Sequence, residues 1–304
     1  LLLLLALAGC HREGKPQFFD SRVPPSLSPR FFPPEGWAWG TVEPPGGPDI
    51  RYGVAAPTGV PKASVVIQAN AGESAEVYFE TAHDLIDRGY TVWVLDPAPS
   101  PIIGAAAIHA LIDNMVRPRA GETVVLAGYD SAALAALLEA ESRTPRIDGL
   151  VVWSPRLYEP LGAEAAAKVK MGLGALAADG ERDWTRPTYN LSGRATLAQA
   201  WQTANPDLRP GRRPWNWFAS SAEGAGLAAD PVRLKAMTVP VLLMDPAGDS
   251  RAAQACAAMA HCEKAAPGTS PSPLHLAPDS VRNAWLKAFE DFVEARLADH
   301  AHGV

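Results

Sequence analysis

Residues 123–142 read TVVLAGYDSAALAALLEAES. A continuous apolar run meets Gly128, and an alanine- and leucine-rich stretch with helical spacing begins at once. A switch that abrupt from a two-residue to a 3.6-residue period leaves room only for a buried strand, a sharp turn and a helix folding back on the sheet. The pattern recurs. ASVVIQAN (63–70), TVWVLD (91–96), DGLVVWSP (148–155) and VPVLLMDPAGD (239–249) are apolar runs of the kind found in strands buried on both faces.

Helical patterns separate these runs. Tyr78, Ala82, Leu85 and Ile86 form one stripe that stops at Gly89, AAAIHALIDNMV (105–116) reads as a second helix, and 131–142 as a third. The last helix, 280–297, carries Val281, Trp285, Ala288, Phe289, Phe292 and Val293 on one face. WAWGTV (37–42) and IRYGVAAP (50–57) flank EPPGGPD as a hairpin-like pair. Strands alternating with helices predict an α/β fold: a mostly parallel sheet flanked by helices. The alternation breaks over 156–237, a partly helical stretch holding Trp184, Trp201, Trp215 and Trp217, and this predicts a helical cap inserted over the C-terminal edge of the sheet. The expected division is 37–155 with 238–304 as the core and 156–237 as the insertion.

The chain has 304 residues, is 47% hydrophobic and carries a net charge of −6 without a block of like charge. That argues against nucleic acid as a partner, which needs a basic stripe. Before the core, LLLLLALAG (1–9) resembles the end of a lipoprotein signal peptide, and Leu7-Ala8-Gly9-Cys10 resembles a bacterial lipobox. The expectation is acylation of Cys10, a tether over 10–36, and an exported lipoprotein on the periplasmic face of a bacterial envelope membrane. The remaining cysteines, Cys256 and Cys262, are then expected to pair as a disulfide. No ligand spacing for a metal is present, and no cofactor is implied.

Three residues stand where chemistry is expected. Asp130 follows the strand 123–128, Asp249 follows VPVLLMDPAG at the end of the 239–249 run, and His275 precedes the last helix. A nucleophile, an acid and a histidine in that order fit a triad in which His275 is the base and Asp249 fixes its tautomer. From FFPPEGWAWG (31–40), through GESAEVYFETAHDLIDRGYTVWVLD (72–96), to VPVLLMDPAGDSR and HLAPDSVRNAWLKAFEDF, the chain resembles the α/β-hydrolases. Within them it is similar to the lysophospholipase and monoacylglycerol lipase group (serine aminopeptidase-like). The resemblance implies an α/β-hydrolase fold and ester hydrolysis on a small lipid-like substrate. It also implies an oxyanion hole made of the N–H groups of Ala71, in ANAGE, and of Ser131.

The chain departs from that pattern where the pattern is most reactive. The family's nucleophilic serine is Asp130 here, and the His-Gly before the hole is Ala69-Asn70. A carboxylate nucleophile suits attack on alkyl carbon, as in haloalkane dehalogenases and epoxide hydrolases, whereas its attack on an ester gives an anhydride. Ser131, one place late, is the alternative nucleophile. Asp130 also suits a plain helix cap in a silent site, since Asp favours both N-caps and positive φ. The working expectation is hydrolysis of an ester or related bond in a lipid-like substrate. Its alternatives are a catalytically inactive envelope module that binds lipid or protein, and an Asp-nucleophile hydrolase.

Overall fold

The structure is a computed structural model that describes residues 21–117, 123–142, 144–158, 160–245, 248–268 and 273–302. The expected signal remnant (1–9), Cys10 and the expected tether as far as residue 20 lie outside the described residues. Eight strands form one sheet: β1 (Ala38–Val42), β2 (Ile50–Ala55), β3 (Ala63–Gln68), β4 (Tyr90–Leu95), β5 (Val124–Tyr129), β6 (Gly149–Trp153), β7 (Val241–Met244) and β8 (Cys262–Ala265). Their order is β1-β2-β4-β3-β5-β6-β7-β8. β1 and β2 pair as an antiparallel hairpin and β2 pairs antiparallel with β4, while every pair from β4 to β8 is parallel. The mostly parallel sheet read from the sequence is therefore present.

Register explains why the strands read as unbroken apolar runs. Trp93, Val66, Leu126, Leu150 and Val241 lie side by side across β4-β3-β5-β6-β7 and face one core. Their neighbours Val94, Ile67, Ala127, Val151 and Leu242 line up one residue on and face the other core. Alternate side chains point to opposite faces, and both faces are covered. The first core is closed by α2 (Pro101–Leu111), α3 (Ala132–Ala140), α7 (Pro231–Ala236) and α8 (Ser250–Ala258). The second is closed by α1 (Phe79–Ile86) and α9 (Asp279–His302), whose Trp285, Phe289, Phe292 and Val293 are all buried.

Several boundaries move for identifiable reasons. α2 begins four residues before the expected helix because Ser100 accepts the Ile103 N–H at 3.2 Å and Pro101 sits in the first turn, where its missing N–H costs nothing. The expected C-terminal half becomes a π-helical turn, Ile112–Val116. The run 239–249 keeps only four residues as β7 and then turns into α8, capped by Asp249. Cys256 and Cys262 form the expected disulfide, which joins α8 to β8 across a sequence separation of 6.

The stretch 156–237 supplies α4 (Ala163–Lys170), α5 (Leu197–Ala204), α6 (Trp215–Ala228) and α7. Its own core is small, formed by Ala165, Ala178 and Trp215. Most of its apolar surface joins the body instead. Leu197, Ala200 and Trp201 of α5 enter the second core, and Trp201 meets Phe79 edge-on with ring centroids 5.5 Å apart. On α6, a Cβ at Gly224 would stand 2.8 Å from Pro101, so the α6 backbone lies directly on the start of α2. Among the described residues no helix is long and apolar enough to cross a membrane.

Candidate functional site

The parallel strands end on one edge, so the segments after β3, β4, β5, β6 and β7 meet there. Asp130, directly after β5, has φ 52. That left-handed conformation costs an L-residue about 1–2 kcal/mol, least for Asp and Asn. It turns the chain from strand to helix within two residues, and Gly128 makes the turn possible. A Cβ at Gly128 would stand 3.0 Å from the Ala132 carbonyl oxygen and from the Ala133 nitrogen. The elbow anticipated from the sequence is thus a real backbone feature.

The Asp130 carboxylate does not stand free in it. Arg156, in the segment after β6, donates from Nε to Oδ1 at 2.8 Å and from Nη2 to Oδ2 at 2.8 Å. The backbone repeats the connection, with the Arg156 N–H on the Asp130 carbonyl at 3.1 Å. Asn70 Nδ2 adds a longer bond of 3.4 Å to Oδ2. Ser131 donates its hydroxyl to Asn70 Oδ1 at 2.6 Å. Asn70, standing where the resemblance implies Gly, therefore ties both candidate nucleophiles to the segment after β3.

His275 is 1% exposed, and its ring stacks on Tyr78 at 4.7 Å. Tyr129 and Trp153 meet it edge-on at 5.4 and 5.8 Å. Its Nε2 stands 3.5 Å from Glu73 Oε1, an ion-pair distance without hydrogen-bond geometry. Glu73 accepts the Tyr78 hydroxyl at 2.6 Å, and Tyr78 Oη accepts the Asn70 N–H at 3.2 Å. Burial pushes the Glu73 carboxyl up, but the charge His275 offers when protonated and the bond from Tyr78 outweigh it and hold that carboxyl below its ordinary value. Burial, with the negative charges of Asp130 and Glu73, pushes the Tyr129 phenol up to about 12. Among the described residues, neither Asp130 nor Ser131 forms a hydrogen bond or ion pair with His275.

Asp249, the expected orienter, is exposed and works as a helix cap. Its Oδ1 accepts the Arg251 N–H at 2.8 Å, its own N–H is held by the Asp245 carboxylate, and it makes no bond to His275. The carboxylate that meets the imidazole is Glu73. Ala71 and Ser131, the expected oxyanion donors, both line one cavity of about 30 Å³ beside the elbow. That is an order of magnitude below the roughly 300–1,000 Å³ of pockets that take drug-sized ligands. Among the described residues no group of His, Cys, Asp and Glu could hold a metal ion.

Two supporting networks had no sequence signal. Arg51, 4% exposed, bonds Asp96 at 2.6 and 3.2 Å and Glu76 at 2.9 Å, and Asp96 in turn accepts the Ala75 N–H at 2.9 Å. This buried ion cluster braces the 69–75 segment from behind. Arg282, 2% exposed, bridges the His275 carbonyl, Asp84 and Thr81, and so fixes the histidine loop to α1. The insertion grips the same segment through Gln202, which donates to the Gly72 carbonyl at 3.0 Å.

No family model matches the sequence, and no curated protein matches it. Solved structures do. A carboxyl esterase from Bacillus coagulans in complex with glycerol aligns over 87% of this chain and 100% of its own, with a TM-score of 0.66 at 11% identity. A monoacylglycerol lipase from Paleococcus ferrophilus aligns over 83% and 99%, with a TM-score of 0.56 at 18% identity. An enol-lactonase from Burkholderia xenovorans aligns over 84% and 100%, with a TM-score of 0.57 at 13% identity. Identity so low speaks to architecture and not to activity. The sheet order, the left-handed residue after the fifth strand and these likenesses together establish that the chain has the α/β-hydrolase fold.

Proposed function

We propose that this protein is a non-hydrolytic binding module built on the α/β-hydrolase fold, carried at the bacterial cell envelope by a lipid anchor on Cys10. The observation that carries the reading is the two-bond clasp of Arg156 on both carboxylate oxygens of Asp130. A nucleophile must present a free lone pair and a base must reach it. Here the lone pairs face a guanidinium, the Ser131 proton faces Asn70, and the imidazole faces Glu73. These contacts count against ester hydrolysis like that of the esterases and lipases it resembles in fold. Export is supported by the Leu7-Ala8-Gly9-Cys10 sequence and by the Cys256–Cys262 disulfide, which suits an oxidising compartment.

One observation favours a second reading, an Asp-nucleophile hydrolase: a plain helix cap does not require the φ of 52 that Asp130 keeps. Intact mass spectrometry after exposure to a fluorophosphonate, an epoxide and a haloalkane tests both. The binding reading expects no adduct from any probe in the native protein or in His275→Ala. An alkyl ester trapped on Asp130 in His275→Ala would establish the second reading, and an adduct on Ser131 would restore serine catalysis. Metabolic labelling with a fatty-acid probe tests the anchor, with label expected on native protein and lost in Cys10→Ser.

A further inference from the structure

We infer that the insertion docks on an anionic lipid surface through α4 and the turn that follows it. The inference extends the envelope reading above and rests on it. Among the described residues ten large apolar side chains are exposed, and six of them lie within 158–189: Tyr158, Leu161, Met171, Leu173, Leu176 and Tyr189. Four of the six stand in LGAEAAAKVKMGLGAL (161–176), where α4 itself buries only Ala165. Met171 is 62% exposed and Leu176 57%. Apolar side chains crowded in water on one short helix and its turn mark a surface that meets a partner.

The turn is held so that it presents these side chains. The Asn216 N–H donates to the Gly174 carbonyl at 2.8 Å, the Trp215 N–H to the Leu176 carbonyl at 3.0 Å, and the Ala178 N–H to the Arg213 carbonyl at 2.9 Å. A Cβ at Gly174 would stand 1.9 Å from Asn216 Oδ1, so the backbone of the turn lies directly on the start of α6. With its backbone fixed there, the turn leaves Met171, Leu173 and Leu176 outside the small core of Ala165, Ala178 and Trp215.

Charge selects lipid headgroups as the occupant. Residues 156–237 carry eleven Lys and Arg against eight Asp and Glu, a net charge of +3, whereas the whole chain carries −6 and the remainder therefore −9. Between 161 and 178 the only acid is Glu164, in the first turn of α4. Lys170, directly before Met171, and Arg212, beside the Arg213 that bonds Ala178, are both exposed. Long cationic side chains on such a face keep their charge at the level of the headgroups while apolar neighbours enter the acyl boundary. The path from the expected anchor leads to the same part of the molecule. The Arg22 N–H donates to Asn205 Oδ1 at 2.7 Å and its carbonyl accepts Asn205 Nδ2 at 3.0 Å, which pins Arg22 at the end of α5. Twelve residues separate Arg22 from Cys10, a reach of at most ~40 Å, against roughly 50 Å across a domain of this size. A bilayer that holds an acylated Cys10 therefore lies on the insertion's side.

The test is co-sedimentation of the full chain carrying Cys10→Ser, so that no acyl chain contributes, with vesicles of phosphatidylcholine or of phosphatidylcholine and phosphatidylglycerol in equal parts. The stretch 1–9 has no charged side chain and is common to every sample, so it does not discriminate between the two. Binding about tenfold tighter to the anionic vesicles is expected, weakening as salt rises. Leu176→Glu and Met171→Glu should each weaken it about tenfold, and Lys170→Glu about fivefold. Val60→Glu, at an exposed position on the body, should leave it unchanged. Circular dichroism checks that each variant is folded, and should one fail, the others still decide the matter. Equal binding to both vesicle types, or a loss in Val60→Glu as large as in Leu176→Glu, would overturn the inference. So would self-association that Leu176→Glu abolishes while vesicle binding is unchanged, since the face would then belong to a second copy. Each of these outcomes leaves standing the non-hydrolytic reading, which the reactive probes test, and the anchor, which fatty-acid labelling tests.

Discussion

Replacing Asp130 separates a structural elbow from a reacting one, because the two make opposite predictions about stability. The Arg156–Asp130 pair is 44% and 19% exposed at its side chains, between the surface and buried regimes. An exposed pair contributes about 0.2–1 kcal/mol and a hydrogen bond to a charged group about 1.5–3, so about 1–1.5 kcal/mol is expected here. The backbone adds a second contribution, since alanine in the left-handed region loses roughly 1 kcal/mol more than a residue suited to it. Asp130→Ala forfeits both and should destabilise by about 2–2.5 kcal/mol. Asp130→Gly forfeits the clasp but relaxes the φ of 52, and Arg156→Ala forfeits the clasp while keeping that φ, so each should cost about 1–1.5 kcal/mol. The double variant Asp130→Ala with Arg156→Ala should be little worse than Asp130→Ala alone, because the clasp can be lost only once. Urea unfolding followed by circular dichroism measures all four. Asp130→Ala that is neutral or more stable than native would refute the reasoning, since that is how a group held against strain for chemistry behaves.

Burial, opposed by the bond from Arg233, pushes the Glu141 carboxyl up to about 7. The folded state then binds this proton more tightly than the unfolded chain does, so Glu141 favours folding increasingly as pH falls from about 7 toward 4.5. Glu141→Gln should flatten that part of a melting-temperature profile, and an unchanged profile would remove Glu141 as its source. Glu73 has the opposite sign: its carboxyl is held low, so its stabilisation is present above the ordinary glutamate value and is lost as pH falls through the folded one. Glu73→Gln should therefore remove an acid-side loss of stability in denaturant titrations at graded pH. Reducing the Cys256–Cys262 bridge should cost about 2 kcal/mol, the value for so short a loop, and lower the melting temperature of native protein but not of the double serine variant.

The central sheet was legible because burial on both faces removes every reason for polar residues within β3 to β7. β8 was not: it is an exposed four-residue edge strand with Glu263 and Lys264 at its centre, so neither face has an apolar signature. α8 was missed for a related reason, since its small residues bury only Ala252, Ala255 and Cys256. The insertion was visible as a break in alternation, but its attachment was not. Trp201 and Ala225 contribute to the cores of the body, and nothing local in a tryptophan says which core it enters.

The site was legible as backbone and opaque as chemistry. Strand, Gly128 and alanine-rich helix dictate an elbow whatever residue stands at its tip. What that residue does depends on partners 26 residues ahead at Arg156 and 60 behind at Asn70, in segments that carry no motif of their own. Once those partners are known, the polar groups of the elbow account for one another. Arg156 holds Asp130, Asn70 holds Asp130 and Ser131, and the Asn70 backbone leads through Tyr78 to Glu73 and His275. A hydrolytic site must leave such a circuit open toward the substrate, because the bonds that speed the reaction are those completed only in its transition state. Here the circuit closes on protein groups as far as Glu73, while both ring nitrogens of the buried His275 are left without a hydrogen bond among the described residues.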